Sequence, residues 1–412
     1  MTTPNFSGDA APPLAGLRVL ELASILAGPV TGQFLAELGA EVIKVENPAT
    51  GGDPTRAWRL AAEDPAAPVS AYFSCANWGK RSIALDVSTA AGRRVVQDLA
   101  RDSDVVIASY KPGDDAKLGL DPETLQATNQ SLIYAQISAY GLDDPRPGFD
   151  AIIQAESGFT NLNGEPDGPP TKMPVALVDL LAAHQLKEAI LVALLQRQRT
   201  GEGRHVHVAL LDAAIASLAN QASNYLVGGV VPGRMGSEHP NIVPYGAVYR
   251  LGDGHELVLA VGTERQWQAL TGALDRTDLA ADPRFADNHA RVQNREALHD
   301  ALTREFASLD GAAVAQRLGE HRVPFGFVND MAGVFAQPGG GRTLLRSEAL
   351  QGVRSFVAEG VDSRADLTPP PAYDADGAAI LEELGYDLAQ RRALIENGAW
   401  AGSTEAGAEQ PW

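Results

Sequence analysis

Short apolar runs alternate with longer amphipathic stretches through the first half of the chain. Leu17–Leu22 (LRVLEL) predicts a strand. Ala27-Gly28-Pro29 turns into a helix-like stretch through Leu38, Gly39 ends it, and Glu41–Glu46 (EVIKVE) predicts a second strand. The rhythm returns with a strand at Ser82–Leu85, a helix at Ala90–Ala100, and strands at Asp104–Ala108 and Leu132–Ser138. Strands separated by helices of about ten to fifteen residues predict βαβ units and a parallel sheet. The strongest helical pattern is Ala176–Gln198, where Leu181, Leu186, Ile190, Leu191, Leu194 and Leu195 recur near a 3.6-residue period until Thr200-Gly201 stops it.

The pattern changes after about Gln221. Val227–Pro240 (VGGVVPGRMGSEHP) is rich in glycine and proline and reads as a mobile loop, either a lid or an interdomain linker. Val243–Tyr249 and Glu256–Val261, around Gly252-Asp253-Gly254, predict a β-hairpin. Helical patterns follow at Gln266–Leu274 and Asn294–Leu309, so a smaller α+β module is expected from about 225 to 325. The stretch Ala401–Trp412 is small and polar and reads as a fraying end.

A chain of 412 residues implies two or three domains at roughly 150 residues each. The net charge of -19 argues against non-specific nucleic-acid binding and docking on anionic lipid, which need a basic surface. An anionic ligand would have to be held by a local cluster of Lys and Arg. The single cysteine, Cys75, rules out an intramolecular disulfide and a cysteine zinc site. The opening MTTPNFSGDAAPP does not read as a signal peptide. No apolar run reaches the roughly 20 residues of a spanning helix, since Asp179, His184, Gln185, Lys187 and Glu188 interrupt the best candidate. A soluble, cytoplasmic protein is expected.

Several chemistries are absent from the sequence. There is no Gly-x-Ser-x-Gly elbow, no His-Glu-x-x-His, no Gly-x-Gly-x-x-Gly after the first strand, and Gly79-Lys80 lacks the rest of a phosphate loop. His205 and His207 alternate on an apparent strand and read as a solvated face. What remains is a lone acid in an apolar run, Pro174-Val-Ala-Leu-Val-Asp179-Leu-Leu-Ala-Ala. Burying such a carboxylate is costly unless it is hydrogen-bonded or used. Asp179 reads equally as the N-cap of the following helix and as a catalytic group, and the two are compatible, because a helix N-terminus favours the ionised form a nucleophile needs.

Ordered motifs run along the chain: Leu14-Ala-Gly-Leu-Arg-Val-Leu-Glu-Leu, Ala27-Gly-Pro, Leu38-Gly-Ala-Glu-Val-Ile-Lys-Val-Glu46, Gly51-Gly-Asp-Pro, and Asn77-x-Gly-Lys-Arg-Ser-Ile-Ala-Leu-Asp86. Lys111-Pro-Gly, Leu118-Gly-Leu, Arg146-Pro-Gly-x-Asp150, Thr200-Gly-Glu-Gly, His239-Pro-x-Ile-x-Pro-Tyr245 and Val323-Pro-Phe-Gly-Phe-Val-Asn329 continue them. In order and spacing they resemble the family III CoA-transferases (the CaiB/BaiF type), which include formyl-CoA and carnitinyl-CoA transferases and have α-methylacyl-CoA racemase as a relative.

The resemblance implies an α/β fold: a Rossmann-like large domain with a parallel sheet, built from residues 1–200 and 326–412, a linker helix region at 201–224, and a small α+β domain at 225–325. It also implies an interlocked homodimer. The family's catalytic aspartate falls on Asp179. Its coenzyme A contacts fall on Ile25, Leu26, Ala27, Leu85, Ser88, Ser109, Tyr110, Lys117 and Leu118. Two family bases are replaced, by Asn47 and Ser88. Lys44, Lys80, Arg81, Lys111 and Lys117 are candidates to compensate, or are simply solvated charges.

The implied activity moves coenzyme A from an acyl-CoA to a carboxylic acid through an aspartyl anhydride and thioester. Coenzyme A is then a substrate, and no prosthetic group or metal is called for. Gly236, Ser237, Glu238 and His239 resemble the substrate loop of members that use dicarboxylates such as succinate, mesaconate or itaconate. Arg56, Arg146 and Arg234 are candidates for a second carboxylate. An acyl-CoA racemase is the alternative, but Phe149 stands where that branch has its catalytic histidine, and Asp150 beside it reads as a turn or cap. A silent coenzyme A-binding protein is a third reading, against which the retained Asp179 argues.

Overall fold

The computed structural model describes residues 11–364 and 366–403, so the first ten residues and 404–412 of the polar C-terminal stretch lie outside the described residues. Two compact units emerge. One takes the chain up to 157, 174–218 and from 341 on; the other takes 158–173 and 219–340.

The first unit is built on six strands: β1 (Arg18–Leu22), β2 (Glu41–Glu46), β3 (Lys80–Ala84), β4 (Val105–Ala108), β5 (Ile133–Ser138) and β6 (Arg204–Ala209). They lie in the order β3-β2-β1-β4-β5-β6 with every neighbouring pair parallel. This is the doubly wound order, in which the winding reverses between the first and fourth strands. Strands covered on both faces read as continuous apolar runs, and β4 and β5 are buried at every position. The Rossmann-like α/β expectation is met, with β3 beginning at Lys80 rather than Ser82.

Charged residues inside the sheet break that apolar rule together. Glu21 on β1 is fully buried and lies beside Lys44 on β2 in register. Lys44 Nζ is 3.0 Å from Glu21 and 2.9 Å from Asp53, and donates to the Ala23 carbonyl at 2.8 Å. Lys80 Nζ is 2.8 Å from Glu21 and also donates to Pro29 O and Asn77 Oδ1. Beside them Arg56 grips Glu46 at 2.7 Å. Helix α1 (Ala27–Glu37) closes over this cluster with no exposed face. It comes that close only because Gly32 has no side chain, since a Cβ there would run into the Glu21 carboxylate.

The C-terminal return covers the open edge of β3. Asp376 Oδ2 accepts the Ser82 N–H at 2.9 Å and Asp374 Oδ1 accepts that of Ala84 at 2.7 Å. In return the Asp376 and Ala401 N–H groups donate to the Ser82 and Ala84 carbonyls. The indole of Trp400, itself buried, donates to Asp374. Unpaired strand edges invite pairing with other chains, and here side-chain carboxylates stand in for a seventh strand.

On the other side of the sheet, helix α2 (Ala90–Arg101) is capped by Thr89, whose hydroxyl accepts the Gly92 N–H. Helix α3 (Asp150–Glu156) leads toward α4 (Leu177–Thr200). Gly201, at φ 75, ends α4 in the left-handed conformation that glycine adopts freely.

The second unit has an antiparallel sheet of β7 (Tyr245–Arg250), β8 (Glu256–Ala260) and β9 (Phe325–Phe327). The expected hairpin is present. The unit extends beyond the expected limit of 325 to include all of β9 and the chain to 340, and it takes in 158–173 as well. Helices Glu264–Ala273 and Arg295–Phe306 pack Trp267, Leu298 and Phe306 into its core. Val227–Pro240 has both flanks in this unit, so it is not an interdomain linker. Among the described residues no helix is long and apolar enough to cross a membrane.

Candidate active site

In an open α/β sheet, ligands bind outside the carboxyl ends of the strands where the winding reverses. A cavity of about 280 Å³ lies there. Its walls are the turn after β1 (Ser24–Gly28), the turn after β4 (Ser109–Pro112), the end of β5 (Ile137–Ala139), Arg146–Phe149 and Asp179.

Asp179 is on the first turn of α4 and is 9% exposed. It is not the cap. The helix starts after Ala176, whose side chain offers nothing. The carboxylate that takes up an N-terminal donor is Asp150, at the start of α3, with Oδ1 accepting the Val178 N–H at 2.8 Å and Oδ2 accepting Gln154 Nε2 at 2.8 Å. Among the described residues no hydrogen bond reaches the Asp179 carboxyl. Burial, reinforced by the nearby Asp150 carboxylate, pushes Asp179 up to about 7. The helix end was expected to keep it ionised; desolvation and the like charge of Asp150 instead favour the protonated form.

Of the positions assigned by resemblance, Ile25, Leu26, Ala27, Ser109, Tyr110 and Lys111 line the same cavity as Asp179. Burial raises the Tyr110 hydroxyl to about 12, so it stays a neutral donor. Lys44 does not reach the cavity. It is buried, its three protons are taken by Glu21, Ala23 and Asp53, and it cannot also hold a phosphate. Burial opposes its charge, yet the Glu21, Asp53 and Glu46 carboxylates hold its pKa above the ordinary lysine value. Lys80 is committed in the same way, and Arg81 is tied to Glu41 and Glu383. Leu85 is core, bridged to Trp400. Leu118 packs on that core, Lys117 pairs with Asp114 on the surface, and Ser88 sits in a turn closed by Asp86.

The three arginine candidates now separate. Arg56 is locked onto Glu46 beneath the turn, and Arg234 belongs to the second unit, where it reaches Asn161 O. Arg146 is in the cavity wall, stacked 3.9 Å above the Tyr140 ring and paired with Asp144 at 2.9 Å. With Lys111 it puts two cations into the wall of the cavity that Asp179 also lines, in an otherwise acidic protein. Phe149, in the same wall, brings no titratable group. Gly236, Ser237, Glu238 and His239 lie in the second unit and are not among the cavity's walls. There Arg295 fixes Glu238 at 2.6 Å, and Gly246 lets the Ser237 carbonyl pass close by.

The sequence reading missed Ser138 and the polar partners of the two histidines. Ser138 Oγ, in the cavity wall, is 2.9 Å from His207 Nε2 and accepts the Gly141 N–H, while His205 Nε2 bonds Gln136. His205 remains exposed as expected while His207 is half-buried, and partial burial lowers both pKa values. Alternation on β6 was the available signal, but the polar partners come from β5, which sequence spacing does not reveal.

Backbone strain marks the turn after β1. Ile25 has φ 74, a left-handed conformation that costs a β-branched residue about 1–3 kcal/mol. Both Asp53 oxygens accept its N–H, at 3.1 and 3.3 Å.

Comparison with known proteins bears on this site. The model for CoA-transferase family III matches residues 14–349. The chain is 40% identical over 386 residues to a succinate–glutarate CoA-transferase of Agrobacterium fabrum, covering 90% of this chain and 96% of the relative. It is 36% identical to a succinyl-CoA:mesaconate CoA-transferase of Haloarcula hispanica, covering 79% and 82%. A crystal structure of a CaiB/BaiF family protein from Brucella suis superposes with a TM-score of 0.80 at 41% identity, covering 91% of this chain and 100% of that one.

The titration of Asp179 has a consequence for stability. Between the unfolded value of 3.8 and the folded value of about 7, the folded protein holds a proton that the unfolded chain releases, so stability falls as pH rises through that window. Asp179→Asn removes the liability. In urea unfolding it should stabilise the protein by up to about 4 kcal/mol at pH 8 and change little at pH 4. Equal effects at both pH values would contradict a raised pKa.

Proposed function

The chain belongs to CoA-transferase family III, and on that premise we propose that it moves coenzyme A from an acyl-CoA to a free dicarboxylic acid, with Asp179 as the attacking carboxylate. The observation that carries the assignment is the Asp179 carboxyl itself: buried, without a hydrogen bond among the described residues, and in the wall of the switch-point cavity.

An Asp179 oxygen attacks the thioester carbonyl, the C–S bond breaks, and a mixed anhydride and coenzyme A thiolate result. The thiolate attacks the Asp179 carbonyl carbon, releasing the donor acid and leaving an aspartyl thioester. The acceptor carboxylate attacks that carbonyl and expels the thiolate, which then attacks the acceptor's acyl carbon and returns Asp179 as a carboxylate. Each step is an acyl transfer between oxygen and sulfur, so thioester energy is kept as long as water is excluded. Coenzyme A enters and leaves as a substrate. The turns at Ile25–Ala27 and Ser109–Lys111 are the proposed contacts for it, and Tyr110 is a neutral donor among them. A racemase would need a proton-transfer group where this cavity has Phe149.

The proposed acceptors are dicarboxylates. Two of the relatives described above are named for succinate with glutarate and for succinyl-CoA with mesaconate. Arg146 is the proposed partner of the carboxylate that does not react, because it is in the cavity wall while Arg56 is consumed by Glu46. We extend the proposal to a homodimer. Helix α4 has apolar residues on all sides, and its Val192 and Leu195, with the nearby Ile215, stay exposed in the single chain.

Acyl-CoA given without an acceptor should make Asp179 electrophilic, so hydroxylamine should convert it to a hydroxamate detectable by peptide mass spectrometry. Capture at low acyl-CoA should rise with pH through about 7, as the carboxyl loses its proton. Asp179→Ala should bind acyl-CoA yet transfer nothing. Capture at Asp150 instead would mean that the nucleophile has been misassigned.

Arg146→Gln should raise KM for a dicarboxylate acceptor about tenfold or more, the loss of one charged hydrogen bond, and leave a monocarboxylate acceptor unaffected. Equal penalties for both would remove Arg146 from specificity. Light scattering of the purified protein should give twice the chain mass, and a monomer at micromolar concentration would refute the dimer.

A further inference from the structure

The motif Gly51-Gly52-Asp53 has no role in the chemistry above, although Asp53 is tied into the buried charge cluster of the first unit. Asp53 is buried and every face of its carboxylate is engaged. Oδ1 accepts the Thr55 N–H at 3.0 Å and the Thr55 hydroxyl at 2.7 Å, and Oδ2 meets Lys44 Nζ at 2.9 Å. The Asp53 N–H donates to Glu46 Oε2 at 2.9 Å. That contact needs a glycine at 52, where a Cβ would sit 2.6 Å from the same Glu46 oxygen. The carboxylate is thus fixed from below by β2 and from the side by its own turn.

What it holds is the N–H of Ile25, 28 residues earlier, shared between both oxygens. Ile25 has the left-handed φ of 74 that an isoleucine avoids when free. The residues that follow, Leu26 and Ala27, begin α1 and line the cavity with Asp179. A turn that is unfavourable by itself persists only where its surroundings over-determine it, and Asp53 is the side chain that engages its N–H.

We infer that Asp53, fixed by Lys44, is a positioning residue for acyl-CoA: by gripping the Ile25 N–H it holds the strained turn in the one shape that sets Leu26 and Ala27 against the thioester. This rests on the CoA-transferase reading of the cavity. Asp53 touches no substrate. Its effect passes through the backbone of residues 25–27, so it acts on acyl-CoA recognition and leaves the chemistry at Asp179 to proceed once the site is full.

The test is a KM-against-kcat split in a double-mutant cycle. Asp53→Asn keeps the size and one acceptor but loses the charge opposite Lys44. It should raise KM for acyl-CoA about tenfold, with kcat within about threefold of wild type. Ile25→Gly, which adopts a positive φ without a clamp, should raise KM for a different reason, a loosened turn. If both act through that turn, the double variant should be no worse than the poorer single one. A purely structural Asp53 would lower the unfolding midpoint with KM unchanged, and that result overturns the inference, as does a double variant whose penalties multiply.

Should Asp53→Asn fail to fold, Thr55→Val removes a single donor to Asp53 and should shift KM the same way by about two- to fivefold; an unchanged KM there is equally fatal. Hydroxylamine capture of Asp179 in the wild type, at saturating acyl-CoA, is the parallel control. Its absence would sink the transferase reading, whereas acyl-CoA affinity by calorimetry would still report whether Asp53 shapes the turn.

Discussion

Among β1, β2, β3 and the turn that holds Asp53, the carboxylates of Glu21, Glu46 and Asp53 face the cations of Lys44, Lys80 and Arg56, all of them buried or nearly so. Such a cluster is tolerable only when complete, since removing one partner strands a charge in a medium that cannot solvate it, at a cost of about 3–5 kcal/mol. Its completeness dictates the local sequence. Gly32 is there so that α1 can descend onto Glu21, Gly52 so that Glu46 can reach the Asp53 backbone, and Asn77 so that the last proton of Lys80 is used. The apolar sheet supplies bulk stability. This charged floor decides where the turn after β1 stands, and with it one wall of the cavity.

Asp179, the proposed nucleophile, is governed by the opposite principle. Asp53 is surrounded by donors and its pKa is lowered, chiefly by Lys44 working against burial. Asp179 has none among the described residues, and burial raises its pKa. Asp150 takes the Val178 N–H for itself and adds its own negative charge nearby. One acid caps the helix, while the acid on its first turn has no hydrogen-bond partner among the described residues. A carboxyl in that condition is a poor contributor to stability and a good candidate for chemistry.

Much of this could be read along the chain. β4 and β5 are covered on both faces and read as largely apolar runs, and the hairpin announces itself through Gly252-Asp253-Gly254. Asp179 stands out because an acid interrupts an apolar helix. What escaped reading depends on contacts distant in sequence. Asp150 caps a helix that begins 27 residues later, and residues 158–173 join a unit whose remainder starts at 219. Lys44 looked like a ligand for phosphate because a lone lysine in a strand gives no hint that Glu21 lies beside it in register. Ile25 carries no local sign of its left-handed turn; isoleucine would argue against one. The strain comes from Asp53, and only the folded sheet brings the two together.

The cover on β3 has a consequence in time. The carboxylate that accepts the Ala84 N–H belongs to a residue 290 positions further along the chain. A growing polypeptide therefore exposes the open edge of its sheet for most of its synthesis, and the second unit is made in full before Asp374, Asp376 and Trp400 emerge to close it. An uncovered edge is the usual starting point for mispairing with neighbours. In the interval β3 has Lys80 and Arg81 on it, charges that keep like strands apart until each finds its place, Lys80 beneath α1 and Arg81 against Glu41 and Glu383. The same two side chains that finish as structural ion pairs thus begin as gatekeepers of a nascent chain.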